Sequence, residues 1–390
     1  SKLDLRLRVA KHWKNGVVQS LCDGDHESSA ESVFVSGDDV YVAGMERNLR
    51  KTNTAMLWKN GEAQSLSDGS RDAVASSVFV SDNNAYVVKN EESQEKDVAK
   101  LWKNGVEQSL SDGNSSAYAE SVYIAGGKIY AAGLEKNAQL NSVAVLWKNG
   151  SKQYLSDGSR NAAAESVFVL NKDVYVAGWE DNSKEYSVAM LWKNGAAQPL
   201  SDGKGNAYGL SVFASGADVY VAGYENHTAV LWKNGDIQYL GNGNDHSYAY
   251  SVFVAGNNVY VAGSEGSTAT LWKNGEPQDM NDGSISAEAR SVFVLGTNVY
   301  VVGKKFMASD FGDARQIAVL WKNGVAQYLG KDNPKTTCAD SVFVLGDDVY
   351  SAGYEQDDQM KCVAKIWKNG VERSLCGESR ETKSVSVFVK

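Results

Sequence analysis

The sequence predicts an all-β chain folded as a β-propeller, a ring of four-stranded antiparallel blades, and three observations carry that expectation. First, Trp-Lys-Asn-Gly occurs nine times, with its tryptophan at Trp13, Trp58, Trp102, Trp147, Trp192, Trp232, Trp272, Trp321 and Trp367, and successive copies stand 40 to 49 residues apart. A fixed period in this range marks repeat architecture. Second, each period divides into four short runs of β-branched and aromatic residues, with no helical periodicity of useful length. Third, the chain opens part-way through a repeat and closes on the part that is missing.

The unit at residues 251–280 shows the design with the least insertion. Strand A is Ser-Val-Phe-Val, strand B is Val-Tyr-Val-Ala-Gly, strand C ends in Leu-Trp, and strand D is the short run around Gln278. A and B are joined by Gly-Asn-Asn or Gly-Asp-Asp, and C and D by Lys-Asn-Gly. Asn-Gly between two strands predicts a type I′ turn, which needs positive φ at both central residues. Each unit is therefore a four-stranded meander.

Strand A recurs nine times, opening on Ser32, Ser77, Ser121, Ser166, Ser211, Ser251, Ser291, Ser341 and Ser386, whereas strand B recurs eight times, from Tyr41 to Tyr350. The ends account for the mismatch. Val9 to Trp13 reads as strand C and Ser386 to Val389 as strand A. Joined, residues 1–24 plus 384–390 make a ninth blade, with Leu3 to Leu7 standing in for its missing strand B. An open solenoid needs polar capping repeats, while a closed ring uses such ends as a clasp. The count thus predicts one domain over residues 1–390 with nine blades. The alternative is an eight-bladed ring that leaves strand edges near Trp13 and Ser386 uncovered.

Composition narrows function by exclusion. Hydrophobic residues at 43% and aromatics at 10% supply a large core and exclude a disordered chain. A formal charge of −9 argues against non-specific nucleic-acid binding, which needs a basic footprint. No apolar run approaches the ~18 residues of a membrane span. The chain starts at Ser1 with no signal peptide in view, a start that a removed leader or a trimmed product would both leave. Four cysteines are too few for a disulfide framework. Cys22 and Cys376 share a repeat position on outer strands that should splay apart, and Cys338 and Cys362 fall in loops of one repeat; free thiols are expected. None has metal-ligand spacing with His12, His26, His227 or His246, so neither a metal nor another cofactor is expected.

Most repeated residues read as packing. The tryptophans end strand C, where a flat ring fills the space between blades, and the lysines after them read as solvated turn residues. The serines of strand A lack the companion base that a nucleophile needs and are expected to bond loop backbone at the propeller mouth. The Asp-Gly pairs at Asp68, Asp112 and Asp157 lack the alternating ligands of a calcium loop and read as turns. No Gly-x-Ser-x-Gly elbow, His-Glu-x-x-His pair or Walker loop appears. The chain is expected not to be an enzyme.

Variation gathers on one face. The A–B and C–D hairpins barely change, while the B–C loops vary in length, and in a propeller the B–C and D–A loops share a face. A glutamate recurs two residues after the strand B glycine position, at Glu46, Glu91, Glu135, Glu180, Glu225, Glu265 and Glu355, with Lys305 breaking the series. Such a carboxylate most simply ties down backbone N–H groups. The residue before it varies, and Trp179-Glu180, Tyr224-Glu225 and Tyr354-Glu355 set an aromatic beside an acid. D–A segments add Tyr118, Tyr208 and Tyr248. A flat apolar face next to hydrogen-bond acceptors suits a sugar ring, so these nine residues form the candidate ligand site.

Val-Tyr-Val-Ala-Gly followed by Leu-Trp-Lys-Asn-Gly resembles the propeller repeats of secreted or lipid-anchored proteins of Bacteroidetes-type bacteria and, more distantly, Kelch blades. The resemblance covers essentially the whole chain and implies a propeller in an extracellular or cell-envelope setting, with no chemistry attached. The Kelch double glycine is absent: Gly44 precedes Met45 and Gly178 precedes Trp179. The expectation that follows is a non-enzymatic, lectin-like protein that binds glycans multivalently. Its alternative is a structural or protein-interaction scaffold that uses the same loop face.

Overall fold

The computed structural model describes residues 11–14, 17–20, 28–93, 96–243, 245–280, 286–308, 314–329, 336–356 and 362–374, and all regular structure in them is β-strand. Eight blades follow one another, each pairing its strands in the order A-B-C-D. Blade 4 is representative: strand A is Ala162–Leu170, B is Asp173–Asp181, C is Ser187–Lys193 and D is Ala196–Pro199. Strand D is exposed along its length, which places it at the rim, and strand A lies innermost.

The turn chemistry holds as the sequence predicts. Asn194 and Gly195 have φ of 52° and 87°, and the seven other C–D turns repeat these signs. Asn194 also caps the A–B end of its blade: its Oδ1 accepts the Val174 N–H at 2.9 Å and its Nδ2 donates to Asp173 at 2.8 Å. The strand B glycine answers a different constraint. Strand A carries a β-bulge between Ala164 and Ser166, repeated at the same place in every blade. The bulge pushes a carbonyl toward strand B, so that a Cβ on Gly178 would stand 2.0 Å from the Ala163 oxygen. Glycine removes that clash in seven blades; blade 2 carries Lys89 at the same register, so there strands A and B must accommodate a Cβ.

Three contacts weld neighbouring blades. The eight Trp-Lys-Asn-Gly tryptophans from Trp58 to Trp367 are buried, most of them completely, and Trp321 donates its Nε1–H to the Met280 carbonyl of the preceding blade at 3.0 Å. The strand A serines do not bond mouth loops as expected. Seven reach sideways: Ser166 Oγ accepts the N–H of Val212, on strand A of the next blade, at 3.3 Å, and six further serines repeat the bond at 3.1 to 3.4 Å, while Ser341, where blade 8 meets blade 1, does not. Beside them Phe34, Phe79, Tyr123, Phe168, Phe213, Phe253, Phe293 and Phe343 form a closed collar, with consecutive ring centroids 4.6 to 5.6 Å apart.

That collar corrects the nine-blade count. Phe343 of blade 8 meets Phe34 of blade 1 at 5.6 Å, and one core cluster spans both blades, uniting Trp58 and Val33 with Phe343 and Ile366. The last collar step leaves no width for a further strand A, so the ring closes on eight blades, the alternative weighed above. At the N-terminus, Lys11–Lys14 and Val17–Ser20 do pair as the predicted C–D hairpin, but the hairpin lies beside strand D of blade 8, Val371–Ser374, not within the ring. The rest of the proposed closing blade, with Cys22 and Cys376, lies outside the described residues.

The cysteine placement also changes. Cys338 sits on the innermost strand opposite Tyr354, and Cys362 begins strand C opposite Gln356, so neither is in a loop. Strand B separates them, which puts their Cα atoms roughly two strand spacings, about 9–10 Å, apart and beyond bridging distance. Cys338 is a free, buried thiol.

Candidate ligand-binding site at the channel mouth

The bulge in strand A decides what faces the central channel. Below it run the invariant serine and the collar. Above it two variable positions per blade, one on each side of a small residue, border the mouth on the face of the B–C and D–A loops. The lower position, directly before the serine, carries Glu31, Ser76, Glu120, Glu165, Leu210, Tyr250, Arg290 and Asp340 around the ring. The upper position carries Tyr118, Tyr208, Tyr248, Glu288 and Cys338 among others, and each pairs across the ladder with the last variable residue of strand B, as Tyr208 does with Tyr224.

The strand B residue leans over the next blade. Asn90 does this with hydrogen bonds: its Oδ1 accepts the Ala119 N–H at 2.8 Å. Trp179 does it with its ring, meeting Tyr208 edge-on at 5.7 Å; Tyr208 meets its own strand partner Tyr224 at 5.0 Å; and Tyr224 reaches Tyr248 at 4.9 Å. The chain continues to Tyr250, stacked at 6.1 Å from Tyr248 and covered by the Arg290 guanidinium at 5.0 Å. Arg290 pairs with Glu288 at 2.6 Å, and Lys304 joins the same carboxylate at 3.3 Å. Blades 4 to 7 therefore share one continuous wall, aromatic and then ionic.

At the other end of the wall stand two acids. Glu165 accepts the Trp179 Nε1–H at 3.0 Å, which orients both side chains. Burial raises the Glu165 carboxyl above its ordinary range, and that hydrogen bond partly offsets the rise. Glu120, on the neighbouring inner strand, is pushed up to about 7, first by burial and then by the negative charge of Glu165. Burial also lifts the Tyr224 phenol to about 12, with Tyr208 and the other nearby phenols and Glu165 adding to it.

The nine residues singled out from sequence separate into three groups. Trp179, Tyr208, Tyr224 and Tyr248 come together in the arc. Tyr118 lies at the mouth, but its hydroxyl donates to Asp97 of its neighbouring blade, and Tyr354 stands on blade 8, past the ionic end of the wall, its hydroxyl 3.4 Å from Gln316 of blade 7. The glutamates turn away into the blades. Glu225 accepts the Tyr239 hydroxyl at 2.6 Å, Glu355 pairs with Lys365 at 3.0 Å, and Glu180 is half-buried, its carboxyl raised by burial and then by Asp157.

Glu91, Glu135 and Glu355 thus brace their blades through lysines, where backbone N–H groups were expected. Glu135 pairs with Lys152 at 2.8 Å and Glu91 with Lys89 and Lys100, all from strands of their own blade, whereas Glu265 takes a backbone N–H, that of Asn242. The Asp-Gly pairs are turns, Asp157 Oδ1 accepting the Ser159 N–H at 2.7 Å.

Glu120, Glu165, Tyr250, Arg290 and Asp340 were not found from the sequence. Their signal was present: one variable column between a small residue and the invariant serine, as in Ala119-Glu120-Ser121 and Ala289-Arg290-Ser291. The bulge hides it, because an extra residue shifts the alternation that assigns a side chain to one face or the other.

No family model matches the sequence, and no curated relative matches it. Solved structures do match in fold. A puromycin-hydrolyzing peptidase of Mycobacterium tuberculosis is 10% identical with a TM-score of 0.50, over 86% of this chain and 59% of its own. A puromycin hydrolase is 12% identical, also at 0.50, over 92% of this chain and 55% of its own. An acylaminoacyl peptidase of Pyrococcus horikoshii is 12% identical at 0.46, over 85% and 58%. The chain spans a little over half the length of these three proteins. At such identities the likeness shows the propeller fold alone.

Proposed function

We propose that the protein is a non-enzymatic recognition module that binds a carbohydrate at the mouth of its central channel. The observation that supports this reading is the unbroken arc of Trp179, Tyr208, Tyr224 and Tyr248, flanked at both ends by carboxylates. Sugar rings offer an apolar C–H face and a rim of hydroxyls, and such a wall meets both: π faces for the one, acceptors and donors from Glu165, Glu288 and Arg290 for the other.

The geometry favours one asymmetric site over one site per blade, because the four rings form one connected chain while the equivalent strand B positions elsewhere hold Met45, Asn90, Leu134, Ser264 and Lys304, and Tyr354 lies outside the chain. Avidity would then come from several copies of the protein on a surface, not from several sites on one ring.

A glycan array with labelled full-length chain tests the reading, with Trp179→Ala as its companion. Saturable binding to one sugar class, competed by the free sugar and lost in the variant at unchanged melting temperature, is the expected result. A blank array with folded protein removes carbohydrate recognition and leaves a protein-binding scaffold as the reading to pursue.

A further inference from the structure

We propose that the ligand of this mouth carries an organic ammonium group, which among carbohydrates means a sugar with a free amine. The inference rests on the carbohydrate reading above and narrows it to one chemical class.

Recessed charges in proteins are normally paired, and several recessed acids of this chain have a cation against them. Glu91, Glu135 and Glu355 have lysines, and Glu288 has Arg290 and Lys304. Glu120 and Glu165 face the same lumen from adjacent blades, and among the described residues no lysine, arginine or histidine forms an ion pair with either. Burial acts on both, the charge of Glu165 bears on Glu120, and the Trp179 N–H is bonded to Glu165. Two like charges side by side without a counter-charge repel, and an arriving cation relieves that repulsion.

The wall beside them selects which cation. Trp179 is fixed against Glu165, and Tyr224 lies close enough to feel its charge. A cation held among Trp and Tyr faces next to a carboxylate is an ammonium site. A hard divalent ion would want roughly six to eight oxygen ligands, and among the described residues no group of three metal-binding side chains gathers. Arg290 and Lys304 at the far end of the arc repel an ammonium, so the ligand is oriented with its amine toward blades 3 and 4 and its hydroxyls toward Glu288.

Titration calorimetry on the full chain at pH 7 tests this with β-1,4-linked tetramers of glucosamine, N-acetylglucosamine and glucose, which share a backbone and differ in the amine. The glucosamine tetramer should bind about tenfold tighter than the other two. Glu165→Gln and Glu120→Gln, which keep shape and fold, should each erase that preference, so that the glucosamine tetramer binds no tighter than the other two, and Trp179→Ala should weaken all three. Tetramethylammonium should compete with the glucosamine tetramer better than calcium does.

Equal binding of the three tetramers, or a preference that survives both glutamine variants, overturns the ammonium inference and leaves the sugar site standing. Stronger competition by calcium overturns it in favour of a metal ion. No binding of any tetramer, with tetramethylammonium still binding in a Glu165-dependent way, removes the sugar reading and keeps the ammonium site.

Discussion

Glu120→Gln should make this protein more stable, and only above acidic pH. The Glu120 carboxyl is raised from an ordinary 4.5 to about 7 in the folded chain. A carboxyl with a raised folded-state value holds an extra proton when folded, so its contribution to stability is fully present below about pH 4.5 and is lost as the pH rises to about 7. Above that the fold must carry the ionised pair. At about 1.4 kcal/mol per unit, the loss between pH 4 and pH 8 is on the order of 3 kcal/mol. Glutamine keeps the shape and removes the titration. For a chain of 390 residues, unfolding entropy near 2.1 cal/mol/K per residue converts that difference to about 4 °C in melting temperature. Calorimetric scans of both proteins at pH 4, 6, 7 and 8 read the effect. The gap between variant and native chain should widen steadily with pH. A gap that stays constant, or a variant that melts lower at pH 8, would refute the reasoning that an uncompensated acid pair occupies the lumen.

Three other substitutions probe the parts that build the site. Gly223→Ala places a Cβ 1.9 Å from the Tyr208 carbonyl, so the bulge must yield; a loss above about 2 kcal/mol is expected in urea melts, and less than about 0.5 kcal/mol would show that the bulge is soft. Lys89→Ala strips a fully buried ammonium from Glu91 and Glu107, each 2.6 Å away, and should cost about 3 kcal/mol by the same assay; a neutral result would mean that Lys100 alone carries both acids. Trp179→Phe keeps an aromatic face but removes the N–H that Glu165 accepts, so the Glu165 carboxyl should titrate higher in a carbon-13 NMR titration of labelled glutamate, and Glu120, facing less charge, lower; unchanged curves would separate the tryptophan from the pair.

Repetition made the fold legible. Asn60-Gly61 specifies its turn locally, and one copy suffices to read it because positive φ at two successive residues admits few sequences. Strand order follows from four runs and three short links. Blade number did not follow, because a count of motifs treats the copy at Trp13 as equal to the copy at Trp58, whereas closure is decided by where the inner strands meet. There Phe34 packs on Phe343. The site was half legible. Aromatics at the end of strand B stand out against their glutamate neighbours, but the partnership between Trp179 and Glu165 joins residues fourteen apart on two strands. Tyr354 shows the same limit from the other side: alike in sequence to Tyr224, it stands outside the aromatic arc because its blade, the eighth, lies beyond the ionic end of the wall.

The asymmetry of the mouth is what makes it worth probing. A ring of repeats repeats whatever its shared residues do, which is why the collar, the serine bonds and the Asn-Gly turns recur around the channel. Residues that differ from blade to blade at one register cannot serve that shared packing, since each blade folds with a different one: Glu120, Glu165, Leu210, Tyr250 and Arg290 occupy equivalent places on nearly superposable strands. Freed from packing, they set a gradient across the lumen, from acid pair through aromatic wall to guanidinium. A ligand with eightfold symmetry would find nothing to match such a gradient. One with a positive end, a flat middle and a polar end would find all three in order, and its orientation would be fixed before any single contact is strong.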